Sequence, residues 1–104
     1  KYNIYIDAVH LDSPNELRNF ALQIINESKI DITVIHASIN GKNSIVGATK
    51  KDVKLNISAV ITELSKLYGG GASKDEDLSI GGGPNNYDTK KVLQLAKELI
   101  LKES

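Results

Sequence analysis

The stretch IDITVIHASINGKNSIVGAT, residues 30–49, decides the fold. Its first half, residues 30–39, is the most β-rich part of the chain and is apolar on both faces towards its end, which predicts a central strand covered on both sides. Asn40-Gly41 follows, and both residue types tolerate the positive φ that a type I′ hairpin turn requires. Residues 43–49 are therefore predicted to return as an antiparallel strand.

The segment before this hairpin has the pattern of a strand followed by a helix. Residues 2–9 begin with apolar and polar residues in alternation, which predicts a strand. Ser13-Pro14-Asn15-Glu16 has the form of a capping box with proline at the first helical position. Apolar residues then recur at helical spacing, so a helix is predicted over 14–28.

Two more helices are predicted after the hairpin. Helical spacing of apolar residues predicts one over 56–68, with Gly69 placed to end it in a left-handed cap. Asp88 is expected to cap the other, 89–103, and a short strand is expected near 77–80. The predicted buried stripe of the last helix is Val92, Leu95, Ala96 and Leu99. The order β-α-β-β-α-(β)-α predicts an α/β fold, a small mixed β-sheet packed with helices.

Length and composition limit the classes of protein. The 104 residues predict one domain over 1–104. Thirteen basic and thirteen acidic residues cancel, so any RNA binding must rest on a local patch. The chain has no cysteine, which fits a reducing, cytoplasmic location, and no apolar run approaches the roughly 20 residues of a membrane helix. It begins at Lys1 and has no methionine, so we expect a piece cut from a longer protein.

Residues 69–83, GGGASKDEDLSIGGG, hold six of the eight glycines. One interpretation is a flexible connection that ends a helix and turns the chain. The other is a concave backbone surface whose N–H groups receive an anion or an RNA backbone, with Tyr87 placed to stack on a base or ribose. The candidate RNA-binding residues on the second interpretation are Gly69, Gly70, Gly71, Lys74, Gly81, Gly82, Gly83, Tyr87, Lys90 and Lys91.

The sequence offers no catalytic site. His10 and His36 are its two histidines, and a metal site built from them and Asp7 and Asp12 is less favoured than a strand-end residue and a strand histidine hydrogen-bonded to a neighbour. Neither a P-loop nor a serine-nucleophile motif is present. We therefore predict no catalytic residue, no metal and no cofactor.

The glycine-rich segment resembles the DHH-associated domain, a family found at the C-terminus of alanyl-tRNA synthetases and after the catalytic domain of DHH-family phosphoesterases. The opening triplet Gly69–Gly71, the closing triplet Gly81–Gly83, and the basic, acidic and apolar residues Lys74, Asp77 and Leu78 match its loop. The loop lacks the family's proline, one residue is inserted among Asp75–Asp77, and Ser79-Ile80 replaces Ala-Gln. The resemblance covers essentially the whole chain.

The resemblance implies a non-catalytic domain that docks on tRNA, with tRNA-Ala the expected partner, or that joins two chains as a homodimer beside the other domains of a parent alanine–tRNA ligase. The phosphoesterase branch carries a GGGH-type loop with a histidine that touches phosphate. Here Pro84 follows the second triplet, so the synthetase branch is favoured. The substrate-binding domain of a phosphoesterase and a pure dimerisation module are the alternatives.

Overall fold

The computed structural model of the chain describes residues 2–73, 75 and 77–103. Its elements are the strands β1 (Ile4–Val9), β2 (Ile32–Ile39), β3 (Lys42–Thr49) and β4 (Leu78–Gly83), and the helices α1 (Pro14–Glu27), α2 (Ile57–Leu67) and α3 (Thr89–Glu103). The four strands form one mixed sheet in the order β1-β2-β3-β4. The predicted fold class is confirmed.

The central hairpin sets the sheet. Asn40 and Gly41 have φ of 52° and 77°, as the predicted type I′ turn requires. This tight turn pairs β2 with β3 from Ile39↔Lys42 to Ile32↔Thr49. β1 runs parallel to β2, because α1 carries the chain back across one face of the sheet, and β4 runs antiparallel to β3.

The sheet is covered on both faces, as the apolar β2 sequence predicts. One face packs against α2 and α3, and its core includes Val34, Ile45 and Ile61. The other packs against α1, and its core includes Ile35 and Val46. Alternate residues of β2 therefore enter different cores, and the fold has three layers.

The predicted helix starts are confirmed. The Ser13 Oγ accepts a hydrogen bond from the N–H of Glu16, and the Glu16 carboxylate accepts one from the N–H of Asp12. Asp88 Oδ1 accepts one from the N–H of Lys90 at the start of α3. In the α3 stripe, Val92 and Ala96 are buried as predicted, whereas Leu95 and Leu99 are only partly buried. Ile100, absent from the predicted stripe, is also fully buried.

The strand predicted near 77–80 is longer and begins later than expected. β4 runs over Leu78–Gly83 and so includes the whole second glycine triplet, which the sequence had suggested as part of a loop. The triplet pairs with Asn43–Ile45 of β3. Glycine has no side chain to contribute to a periodic pattern, so the alternation that marks a strand ends at Ile80.

The two edge strands of the sheet, β1 and β4, differ in what lies along their open edge. Beyond β4, Ala72 bridges Gly81, and the N–H of Ser73 donates to the carbonyl of Ile80. The edge of β1 is instead occupied by the Asp7 carboxylate, which accepts from the N–H of Ala8 and the hydroxyl of Tyr5. A charged side chain on an open edge opposes pairing with another strand.

Candidate functional site: the glycine-rich end of the sheet

The first glycine triplet ends helix α2. Gly69 has the predicted left-handed conformation with φ of 80°. Its N–H donates to the carbonyl of Lys66, and the N–H of Gly70 donates to the carbonyl of Ser65. This pair of bonds is a Schellman motif, which satisfies the last carbonyls of a helix.

The second triplet is held against the same helix. The N–H of Gly82 donates to the Oγ of Ser65, which is fully buried on α2. A β-carbon on Gly82 would collide with the carbonyl of Asn43, and one on Gly70 would collide with the carbonyl of Gly82. These glycines are thus required because two segments of the protein's own backbone come close together.

Three of the predicted amide donors are therefore already engaged within the domain. The N–H of Gly69 donates to the carbonyl of Lys66, and the N–H of Gly70 donates to the carbonyl of Ser65. The N–H of Gly82 donates to the side-chain oxygen of Ser65. The mechanism expected from the sequence, in which the amides of both triplets receive a polyanion, is not available at these positions. At Gly71, by contrast, an added β-carbon would meet nothing within 4 Å.

Gly71 and the second triplet line a shallow hollow of about 340 Å³, which we call the glycine hollow. Its lining residues are Lys42, Asn43, Ser44, Gly71, Gly81, Gly82, Gly83 and Pro84. Lys42 is exposed at the start of β3. The register of β3 and β4 places this end of the hairpin against the second triplet, because Asn43 pairs with Gly83.

A second hollow of about 500 Å³ lies along α3, and we call it the α3 groove. Its lining residues are Leu67, Tyr87, Lys90, Lys91, Gln94, Leu95 and Glu98. Tyr87 is 43% exposed, and both lysines are exposed. Because Asp88 already caps α3, the positive character of this end comes from the lysine ammonium groups rather than from a free helix dipole.

Hydrogen bonds and aromatic contacts link the linings of the two hollows. The Asn43 Nδ2 donates to the carbonyl of Asn85 over 2.9 Å, and the N–H of Asn85 donates to the carbonyl of Tyr68 over 2.9 Å. The ring of Tyr87 meets that of Tyr68 edge-on, with centroids 6.4 Å apart. Tyr68 is fully buried, and burial raises the pKa of its phenol above the ordinary value.

The predicted RNA-binding residues therefore fall into three groups. Gly71 and Gly81–Gly83 line the glycine hollow, and Tyr87, Lys90 and Lys91 line the α3 groove. Gly69 and Gly70 shape the connection between them, and Lys74 lies outside the described residues. Sequence reasoning missed Lys42, Asn43 and Ser44, whose proximity to the triplet depends on strand order and has no local signal.

Three other observations on the described residues bear on function. A larger hollow of about 880 Å³ lies beside the start of α2, with Lys51, Lys54 and Glu63 among its lining residues. Among residues 2–73, 75 and 77–103, no group of three or more His, Asp or Glu side chains is arranged to hold a metal ion. In the same ranges, no helix has the length and apolar character needed to cross a membrane.

No family model matches the chain. Among curated proteins, the alanine–tRNA ligase of Gluconobacter oxydans is 36% identical over 90 residues, which is 84% of this chain and 10% of that protein. The alanine–tRNA ligases of Lactobacillus johnsonii and Lactobacillus gasseri are each 30% identical over 95 residues, 85% of this chain and 11% of those proteins. The chain thus spans about a tenth of the length of these relatives.

A solved structure matches nearly the whole chain. The crystal structure of the C-Ala domain from Aquifex aeolicus alanyl-tRNA synthetase superimposes with a TM-score of 0.82 and 27% identity, over 96% of this chain and 95% of that one. This chain has the C-Ala fold. Its sequence and structural neighbours together indicate the C-Ala domain of an alanyl-tRNA synthetase, in agreement with the synthetase branch of the resemblance.

Proposed function

We propose that this C-Ala-type domain binds tRNA, with tRNA-Ala the expected partner, as the C-terminal domain of a cytoplasmic alanine–tRNA ligase. The observation that carries the proposal is the match to the Aquifex aeolicus C-Ala domain over 96% of the chain. The single domain 1–104 would then act beside the catalytic domains of its parent. We also infer that it is a DHH-associated domain, on the strength of its two glycine triplets.

The RNA surface that we propose combines the glycine hollow and the α3 groove. Lys42, Lys90 and Lys91 would meet phosphates, and Tyr87 would stack on an exposed base or ribose. Gly71, which has open space around it, would leave a low surface on which an RNA backbone can lie close to the protein. Gly81–Gly83 line the same hollow and would act through their backbone, because their β-carbon positions face the protein's own atoms. Lys74 belongs to the same proposal through its position between the triplets. Gly69 and Gly70 would act by holding the shape, because their N–H groups are engaged.

The test is tRNA affinity as a function of salt concentration. Replacing Lys42, Lys90 and Lys91 by alanine should flatten the logarithmic salt dependence by about two to three units, or about one unit for each phosphate that no longer meets a lysine. A matched control replaces Lys29, Lys51 and Lys54, which are also exposed and line neither the glycine hollow nor the α3 groove. The placement of the RNA surface would be overturned if the control variant bound tRNA more weakly while the variant of Lys42, Lys90 and Lys91 bound it normally.

A homodimer is the second candidate function. Leu101, near the end of α3, is 58% exposed, the highest exposure among the large apolar side chains of the described residues. Association sites expose contiguous apolar surface, and in this proposal Leu101 would belong to the apolar surface that the two chains bury. Sedimentation at several protein concentrations without RNA tests this candidate. A monomer at every concentration would exclude it, and Leu101→Ser should shift any dimer towards monomer.

A further inference from the structure

His36 is a polar residue inside the core of the sheet. It is 6% exposed and lies on the central strand β2. Its Nε2 lies 2.9 Å from Oδ1 of Asn43, its diagonal neighbour on β3. A buried imidazole in a core of aliphatic side chains needs such a partner, because an unpaired buried polar group is costly.

The direction of this hydrogen bond follows from the next one. The Nδ2 of Asn43 donates to the carbonyl of Asn85, so its Oδ1 is the atom that faces His36. An amide oxygen only accepts. The Nε2 of His36 therefore carries a hydrogen and donates it to the Asn43 amide.

Asn85 is consequently held at both of its backbone polar groups. Its carbonyl accepts from Asn43 and its N–H donates to the carbonyl of Tyr68. Tyr87 lies two residues further on and is followed directly by the cap of α3. A second route joins the same residues, because the His36 ring stacks on Tyr68 at 5.6 Å and Tyr68 meets Tyr87 edge-on.

We propose that His36 is a positioning residue for the RNA-binding surface: through Asn43 and Asn85 it fixes the segment 85–88 and thereby the exposed ring of Tyr87. The proposal rests on the proposed function for its effect on RNA. The claim that His36 orders the segment 85–88 concerns the free domain and is measured without RNA. Pre-ordering of the Tyr87 ring raises affinity because less freedom is lost when a base stacks on it.

The main variant is His36→Phe, which keeps a ring stacked on Tyr68 and removes the donor. Asn43→Ala removes the residue that links His36 to Asn85. Because Asn43 is only half-buried, this variant provides the test if His36→Phe does not fold. Tyr68→Phe is the control, because it keeps the ring and removes a hydroxyl that has no hydrogen-bond partner among the described residues. The full 104-residue chain is used throughout, with a tRNA-Ala transcript as the probe.

In the free protein, ¹⁵N relaxation should show that residues 85–88 are more mobile in His36→Phe and in Asn43→Ala than in the original chain. In the control Tyr68→Phe, their mobility should not increase. The nitrogen shifts of His36 should report the Nε2–H tautomer in the original chain and a loss of that preference in Asn43→Ala. Affinity for tRNA should fall about fivefold in each single variant. The double variant should lose no more than Asn43→Ala alone, since both act through one chain of bonds.

Rigid residues 85–88 in both single variants would overturn the proposal, as would additive losses in the double variant. If the original chain does not bind tRNA but the variants loosen 85–88, the proposed function fails while the positioning of Tyr87 by His36 stands. If tRNA binds and the mobility is unchanged, the proposed function stands and the role of His36 is wrong.

Discussion

The backbone N–H of Gly82 donates a 2.9 Å hydrogen bond to the Oγ of Ser65, so a buried helical side chain holds the second glycine triplet. The carbonyl of Ser65 also accepts from the N–H of Gly70 in the first triplet. One helical residue thus fixes both triplets, and the glycine-rich segment is ordered by hydrogen bonds within the domain.

Ser65→Ala should destabilise the domain by about 1–2 kcal/mol, because it leaves the N–H of Gly82 without its acceptor. Urea unfolding followed by circular dichroism measures the loss. Ser38→Ala, at an exposed site on β2, is the control and should stay within about 0.5 kcal/mol of the original chain. Equal stability of the two variants would show that the Ser65 hydroxyl is not needed.

Gly82→Ala should be more damaging than Gly71→Ala. Gly82 has φ of 132° and no room for a β-carbon beside the Asn43 carbonyl, whereas Gly71 has open space around it. We expect a loss of roughly 1–3 kcal/mol or more at Gly82 and a change within about 0.5 kcal/mol at Gly71. Thermal unfolding of the two variants side by side makes the comparison, and a reversed order would contradict the described backbone contact.

Tyr68 should make the domain sensitive to alkali. Burial raises the pKa of its phenol above the ordinary value of 10.0. Since the folded pKa exceeds the unfolded one, the contribution of Tyr68 to stability is complete below about pH 10 and is lost as pH rises through the folded pKa. Urea midpoints measured from pH 9 to about pH 11 should therefore fall less in Tyr68→Phe than in the original chain.

Tyr5 is a second tyrosine whose raised pKa can be tested in the same pH range. The hydroxyl of Tyr5 donates to the Asp7 carboxylate, and this hydrogen bond is the main cause of a raised pKa at Tyr5 as well. Asp7→Ala should return the Tyr5 pKa towards its ordinary value, and absorbance of the phenolate should report this. A Tyr68→Phe variant as alkali-sensitive as the original chain would mean that burial of Tyr68 does not limit its ionisation.

Tyr87→Ala should weaken tRNA binding by about 1–3 kcal/mol if a base stacks on its ring. The salt dependence should stay the same, because no phosphate contact is removed. Tyr2→Ala is the matched control, since Tyr2 is 38% exposed and Tyr87 43%. Fluorescence anisotropy with labelled tRNA measures both variants, and equal affinities would remove Tyr87 from the RNA surface.

The sequence by itself determined the helices, the central hairpin and the fold class. A capping box before Pro14, the Asn40-Gly41 turn and the apolar repeat before Gly69 are local signals, because each depends on the dihedral angles or the spacing of neighbouring residues. The structure confirms the Ser13 cap, the turn and the end of the helix at Gly69, whereas the Glu16 carboxylate accepts from the N–H of Asp12 and not from that of Ser13. The sequence also predicted that β2 is covered on both sides, because apolar residues occupy both of its faces towards its end.

Only the tertiary structure decided what the glycines do. Whether a bare backbone approaches a ligand or another part of its own chain depends on strand order, and Gly81–Gly83 have no side chains to indicate either. The fold places them between Asn43 and the end of α2, where Ser65 and Gly70 meet them. The same pairing brings Lys42 to the glycine hollow from a distant part of the sequence, a proximity that β3–β4 hydrogen bonds create and no local pattern encodes.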